Sequence, residues 1–352
     1  MWWKKDGKVL STPKRPAIED IDSLPFPDKT IFERDVNIGD DYIILTSRGC
    51  VLSCTFCCEN YINKTYGHSY YRRRSVENVM AELRLAKSRY GFREVMFNDA
   101  IFFTDKEWLR RLAPAYKREI GVPFRCFGQV KFIDAEVGEL LREMGCYCIE
   151  YGVQTLNEAV RNFVLARTES NTENTHAMAI CDKYGIRYDV DHIFGLPEER
   201  EEDFVQAARY YRKRRYLNRI KCHNLTYFPQ TEMVEIARKK GLIDDAEVER
   251  INRGEVGDFF HGRTVDRDDA ERWARRYQTL FKVLPVTPAF ALEWLLKDGR
   301  LRHLEKVPSP AVILGQILVA IRGRDYRFVL YVKYYFWRLR RWAVKRWLPE
   351  RA

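Results

Sequence analysis

The sequence predicts an α/β protein, a partial (β/α)6 TIM-like barrel with a C-terminal helical extension. Three observations lead there. Short apolar runs suited to strands alternate with segments of helical periodicity. The two element types follow one another singly, which requires parallel pairing with right-handed crossovers. A chain of 352 residues, 46% of them hydrophobic, is long enough to bury one large core with something appended.

The apolar runs place strands at 42–46, 94–97, 124–127, 147–153, 187–194 and 221–228, and helical periodicity begins near Val76, Asp105, Asp134, Thr172, Glu201 and Thr231. Residues 1–40 read as an extended, proline-stiffened linker and 41–240 as the barrel, followed by a helical cap over 241–306 and a basic, aromatic, amphipathic tail over 307–352. The cap, with helices expected at 244–252 and 266–284, should cover one end of the barrel and shape access to it. In barrels of this kind the chemistry sits at the C-terminal ends of the strands, where the βα loops gather.

Met1, Trp2 and Trp3 run directly into Lys4, Lys5 and Asp6 with no apolar stretch behind them, so a cytoplasmic location is expected. Nine cysteines, an odd count, suit thiols or metal ligands rather than disulfides. Cys126, Cys146, Cys148, Cys181 and Cys222 lie mostly in apolar runs and read as core. The net charge of +11 is concentrated at the end of the chain, where residues 322–352 hold ten Lys or Arg against Asp325 and Glu350. A charge confined to a tail describes the tail's partner, so no specific nucleic acid is expected for the main body.

The motif that carries chemistry is Cys50-Val51-Leu52-Ser53-Cys54-Thr55-Phe56-Cys57, directly after the first strand. Three thiolates at these spacings in one loop can wrap an iron–sulfur cube, each on a different iron, leaving one iron without a protein ligand. Cys58 adjoins Cys57 and is a poor fourth ligand. The competing readings are three unrelated loop cysteines or a zinc site completed by His68.

The triplet, with aromatic Phe56 before its last cysteine, resembles the C-x3-C-x-aromatic-C motif of the radical S-adenosylmethionine (SAM) superfamily. The resemblance implies a 4Fe-4S cluster on Cys50, Cys54 and Cys57, SAM chelated to the open iron, and reductive cleavage to methionine and a 5′-deoxyadenosyl radical. It extends to Asn98 and Asp99 at the end of the second strand, where the family receives the methionine amino group. Glu150 resembles the strand-four contact to the SAM ribose and should share a strand face with Gly152; Arg167 resembles the partner of the SAM carboxylate. In His192-Ile193-Phe194-Gly195-Leu196-Pro197, Ile193 and Gly195 stand where the family meets adenine. The sixth-strand ending has Gln230 where the family usually has glycine.

The segment 18–28 resembles the linker between the cobalamin-binding domain and the barrel in cobalamin-dependent radical SAM enzymes. No room for that domain exists ahead of residue 18, and its D-x-H-x-x-G motif is absent; Asp189-Val190-Asp191-His192 places the acid one position off. Cobalamin, where used, is expected from a separate cobalamin-binding subunit or from missing upstream sequence, and a flavodoxin or ferredoxin as reductant. The implied reaction is methyl transfer or another C–H functionalisation. The alternative is a non-catalytic iron–sulfur or SAM-binding subunit of a larger complex. His223, His261 and His303 are isolated in sequence.

The tail is expected to lie on a membrane surface, at the inner face, or beside an apolar substrate. Residues 311–321 are apolar but too short to span a bilayer. Over 327–348, Phe328, Val332, Tyr335, Phe336, Leu339, Trp342 and Ala343 form one helical stripe, with Arg327, Arg338, Arg341 and Lys345 on another. A terminal helix packing its aromatic stripe on the barrel, and RNA binding by the same face, are the other readings of this segment.

Overall fold

The computed structural model describes residues 2–33, 38–67, 70–255 and 268–325, together with 327, 332, 333 and 336. A hairpin of β1 (Trp2–Lys5) and β2 (Lys8–Ser11) precedes an extended strap. The strap is held where Asp22 accepts from the Ser75 backbone N–H at 3.1 Å, and Asn78 Nδ2 donates to the Asp22 carbonyl at 3.2 Å. The main sheet comprises β3 (Tyr42–Ile44), β6 (Val95–Phe97), β7 (Phe124–Gly128), β8 (Cys146–Gln154), β9 (Arg187–Phe194) and β10 (Leu217–Asn224). These six strands pair in parallel in sequence order, the topology of the expected partial barrel. A small ribbon of β4 (Ser47–Arg48) and β5 (Arg72–Arg73) flanks α1 (Cys58–Tyr66).

Side-chain caps fix where the helices start. Ser75 caps α2 (Val76–Tyr90), Asp105 caps α3 (Lys106–Glu119) and Asp134 caps α4 (Ala135–Met144). Ser170 and Glu173 form a capping box on α5 (Asn171–Tyr184). Helices α6 (Glu201–Arg212), α7 (Glu232–Lys239) and α8 (Asp245–Asn252) follow.

The outward residues of the central strands, among them Ile149, Tyr151, Tyr188, Val190 and Phe194, are fully buried in the main core. His192 joins them. Its Nδ1 lies 3.1 Å from the Tyr211 hydroxyl, and its ring contacts Phe194, Phe204 and Phe281. The alternate residues line the barrel interior, where the pattern turns polar.

Three expectations need correction. The last strand runs from Leu217 to Asn224 rather than 221–228. Asn218 and Arg219 read as loop in sequence, yet they belong to the strand because they meet buried acids at the floor of the barrel. Second, 241–306 is not an end cap throughout. Among its described residues, α8 packs with α7 on the cluster at the mouth, whereas α9 (Asp268–Val283) buries Tyr277, Leu280 and Phe281 in the main core beside Phe194, Phe204 and Tyr211. Its apolar stripe fills the outer layer beyond β10, followed by α10 (Ala289–Leu295) and α11 (Ser309–Gly323).

Third, Arg327 is not on a solvated basic stripe. The chain leaves α11 and turns under the N-terminal ends of the strands. There Arg327 Nη1 lies 2.8 Å from Asp189 Oδ2, and its Nε lies 3.0 Å from Asp325 Oδ1. Arg219 pairs with Asp325, and Asn218 Nδ2 donates to Asp189 at 2.8 Å and to Asp325 at 3.0 Å. Lys333 reaches Asp40, just before β3, at 3.2 Å, so the tail bridges the last strand to the first beneath the barrel. Val332 and Phe336 are exposed; Phe328, Tyr335, Leu339, Trp342, Ala343, Arg338, Arg341 and Lys345 lie outside the described residues.

Candidate active site at the barrel mouth

The cysteine loop leaves β3 at the C-terminal end of the sheet and is held from two sides. On one side Asn63 of α1 donates through Nδ2 to the carbonyls of Cys50 (3.2 Å) and Leu52 (2.9 Å), and Asn60 does the same to Ser53 (3.1 Å). On the other, the Thr55 N–H donates to the Leu165 carbonyl at 3.2 Å and its hydroxyl to Val164 at 2.6 Å, while the Met233 N–H donates to the Thr55 carbonyl at 3.0 Å. Lys64 and Glu232 add an ion pair at 2.6 Å. The loop thus crosses the gap between the first and last strands. Phe56 packs on a second apolar cluster that contains Val160, Leu165, Ile193, Leu225 and Met233.

Cys54 is buried, Cys50 and Cys57 are half-buried and Cys58 is exposed. Burial raises the Cys50 thiol to about 11 and raises Cys54 as well; Cys57 is raised first by its hydrogen bond with Cys58 and then by burial. Thiols this reluctant to ionise need a strong local positive charge to become thiolates, and iron supplies one. Among the described residues no three His, Cys, Asp or Glu side chains converge on a single ion. Three cysteines in one loop suit a cube, whose three protein-bound irons are separate centres. His68, the fourth ligand of the zinc reading, lies outside the described residues. The donor set therefore fits a 4Fe-4S cluster.

The neighbouring positions fall in two groups. Arg167 is buried beside Cys54, with its Nε 2.6 Å from Glu169 Oε1. A Cβ on Gly152 would sit 2.5 Å from Gln154 Nε2 and 3.3 Å from Arg167 Nη1, so glycine lets these two side chains fold over the end of β8. Gly195, with φ +85°, has open space above it, and Ile193 is buried at the same rim. These residues surround one mouth.

Asn98 and Asp99 part company. Asn98 is exposed. Asp99 is fully buried and accepts from the Thr46 N–H and hydroxyl, both at 2.9 Å, and from the Ser47 hydroxyl. It braces the chain just ahead of the cysteines, and burial raises its carboxyl above the usual range.

Below the mouth, on the inner wall, Glu150 pairs with Lys221 and Asp191 Oδ1 lies 3.2 Å from His223 Nε2. Burial, then the charge of Asp191, pushes Glu150 up to about 7 despite Lys221. His223 is therefore not isolated, since its partner Asp191 lies on the adjacent strand. Lys221, Asp191, Thr55, Gln154 and Glu169 were not singled out as site residues; alternation along β9 and β10 is the signal that could have found the first two. Arg161, fully buried, donates to the carbonyls of Thr155 and Glu169 and to Asn171, tying down the loop that carries Arg167. His303 is exposed, and His261 lies outside the described residues.

Backbone strain gathers at this end. Gln154 (φ +66°), Ala166 (+52°), Glu198 (+67°) and Gln230 (+64°) are all left-handed without being glycine. Gln230 adopts the backbone shape that its family position fills with glycine, so the departure costs strain and leaves the turn intact.

A parallel six-stranded barrel with a three-cysteine loop at its C-terminal mouth defines the radical SAM class, and residues 44–211 match the Radical SAM superfamily. This stretch of the chain is a radical SAM domain, and such a domain implies a 4Fe-4S cluster and SAM. The chain is similar to an uncharacterized methyltransferase of Pyrococcus horikoshii, 25% identical over 68% of this chain and 52% of that one. It also resembles the cytidylyl-2-hydroxyethylphosphonate methyltransferase of Streptomyces wedmorensis, 24% identical over 56% of this chain and 42% of the relative. The chain thus spans about half the length of the curated relatives it matches.

Among solved structures, the cobalamin-dependent SAM radical enzyme OxsB, with aqua-cobalamin and SAM bound, superposes with a TM-score of 0.59 at 14% identity, over 90% of this chain and 51% of that one. The methyltransferase TsrM of Kitasatospora setae, with cobalamin and a [4Fe-4S] cluster, gives 0.50 at 20% identity over 58% and 40%. These likenesses are likenesses of fold.

Proposed function

We propose that the protein is a radical SAM enzyme that transfers a methyl group, or otherwise functionalises a C–H bond, on a substrate held inside the barrel. The observation that carries this reading is the cysteine loop clamped across the mouth beside the Arg167–Glu169 pair and above an inner wall of paired acids and bases. Cys50, Cys54 and Cys57 would hold a 4Fe-4S cluster, which when bound would pass an electron from the external reductant to SAM. The chain's own residues do the rest. Arg167 offers a buried cation to the SAM carboxylate, Asn98 an exposed amide to its amino group, Glu150 a carboxylate to the ribose, and Ile193 with Gly195 an open apolar rim to adenine. Asp99 and Asn63 keep the loop in place. The buried walls exclude water and oxygen from the reacting atoms.

Two of the curated relatives are methyltransferases, which supports methyl transfer, while a methylthiotransferase and a cyclase among them support the broader C–H chemistry, and the fold neighbours that bind cobalamin support its use here. In this reading cobalamin comes from a separate subunit or from a segment outside this chain, and the electron from a flavodoxin or ferredoxin. Tight cobalamin binding by this chain alone would sink the first of these.

The test of the main reading is anaerobic reconstitution with iron and sulfide, reduction by dithionite, addition of SAM and chromatography for 5′-deoxyadenosine. The reconstituted protein should release it, and Cys54→Ala should lose both cluster and product. A Cys54→Ala protein with full cluster content and full SAM cleavage overturns the assignment; a cluster-loaded wild type that binds SAM without cleaving it identifies a non-catalytic subunit.

A further inference from the structure

The last described helix, α11, meets the rest of the protein on one narrow face. Val319, Ala320 and Gly323 are its buried residues. It lies close through glycine: a Cβ on Gly315 would sit 2.5 Å from Val283 Cγ1, and one on Gly323 would sit 2.1 Å from Asn218 Oδ1. The opposite face is apolar and open. Leu314, Leu318 and Ile321 follow the three- and four-residue spacing of one helical stripe, with Ile313 at its edge, and these four are 50–61% exposed. A single exposed leucine needs no explanation, but a whole uncovered helical stripe does.

Charge says what covers it. Arg302 and Lys306 lead into α11, Arg322 and Arg324 leave it, and all four are exposed. The acids around them are already engaged, Glu305 by Arg276 and Asp325 by Arg219 and Arg327. Beyond Asp325, Glu350 is the only acid against eight further Lys or Arg. No single helix among the described residues is long and apolar enough to cross a bilayer; the pair 300–306 and 309–323 passes by length and composition only when taken together, with a bend of 106°.

We infer that α11 lies in the interface of an anionic membrane, with Leu314, Leu318 and Ile321 in the acyl boundary and the flanking arginines and lysines at the headgroups. This moves the membrane contact ahead of the tail stripe expected from sequence, whose first arginine is used in the barrel floor. The floor then couples the two parts: Asp325 and Arg327, just after α11, are locked to β9 and β10, so a helix in the interface holds the barrel at a fixed distance from the surface. The inference is independent of the reaction the barrel performs.

The experiment is flotation of the full chain with vesicles of phosphatidylcholine containing about a third phosphatidylglycerol, beside vesicles of phosphatidylcholine alone, at low and high salt. The wild type should float with the anionic vesicles at low salt, and high salt should weaken this. Leu314→Asp/Leu318→Asp changes exposed positions only, so the fold should survive, and vesicle-bound protein should fall about tenfold or more. The inference is overturned if the wild type stays at the bottom with anionic vesicles at low salt, or if the double variant floats as well as the wild type. It is equally overturned if light scattering shows a dimer that the same substitutions dissociate, which would make a second copy of the chain the occupant.

Discussion

The two ends of this barrel both bury charge, and they do so in opposite ways. At the floor, Asp189, Asp325, Arg219 and Arg327 form one interlocked cluster with Asn218 hydrogen-bonded into it. Burial works against the Asp189 charge, but Arg327, Arg219 and Lys221 overcome it and hold that carboxyl below its ordinary range. Toward the mouth, Glu150 on the inner wall is pushed up to about 7, and at the mouth Asp99 is raised and the Asn60 and Asn63 side-chain oxygens and Asp99 Oδ2 have no hydrogen-bond partner. Four non-glycine residues there accept left-handed backbone. The floor is not free of such groups, since Asn218 Oδ1 lacks a hydrogen-bond partner and Arg324 is left-handed, but its charges are paired and that pairing rigidifies it, whereas the raised carboxyls and left-handed residues at the other end store free energy that a ligand can release. The floor is built for the fold and the mouth for what binds there.

The contrast can be broken most directly by removing one cation from the floor and one from the inner wall above it. Arg327→Met leaves buried Asp189 and Asp325 short of a partner and should cost about 3–5 kcal/mol. Lys221→Met removes a side chain that is 30% exposed, and should cost only about 1 kcal/mol. Urea unfolding of both variants without cluster measures the difference, and equal costs would mean that floor and inner wall are not distinct.

A pH series sharpens the comparison next. Glu150 has an ordinary carboxyl of about 4.5 in the unfolded chain and about 7 in the fold, so the folded protein holds the extra proton between these values. Stability contributed by this residue is therefore present at low pH and lost as pH rises from about 4.5 through about 7, by up to ~3 kcal/mol. Unfolding curves should show the Glu150→Gln variant gaining on the wild type across that window and running parallel above it. A constant offset at every pH would show that Glu150 titrates normally.

A smaller effect than that of Arg327→Met is expected at the clamp on the cysteine loop. Thr55→Val deletes the hydroxyl bond to the Val164 carbonyl and should cost about 1–2 kcal/mol. It should also speed iron loss to a chelator from reconstituted protein. Unchanged iron retention would assign that bond to the fold alone.

How much of this was legible in the sequence follows from where the information resides. Strand 187–194 was read to the residue, because Tyr188, Val190, His192 and Phe194 are all buried on its outer side and leave an unbroken pattern. The helix starts were legible because Ser75, Asp105, Asp134 and Ser170 are local caps. The cysteine triplet, as a single loop, carries its chemistry in its spacing. The last strand was misplaced because Asn218 and Arg219 look like loop until Asp189 and Asp325 are brought beside them. Arg327 looked like surface for the same reason, since its partners Asp189 and Asp325 sit on a distant strand and in the turn just before it.

Local rules, period, capping and ligand spacing, are written along the chain, and by themselves they determined the barrel, its direction and the cluster loop. Long-range pairings are not, because the cost of burying a charge depends on what the fold sets opposite it. Only the tertiary structure could decide that Glu150 meets Lys221, that His223 meets Asp191, that Asp99 is buried while Asn98 stays exposed, and that the tail's first arginine closes the floor.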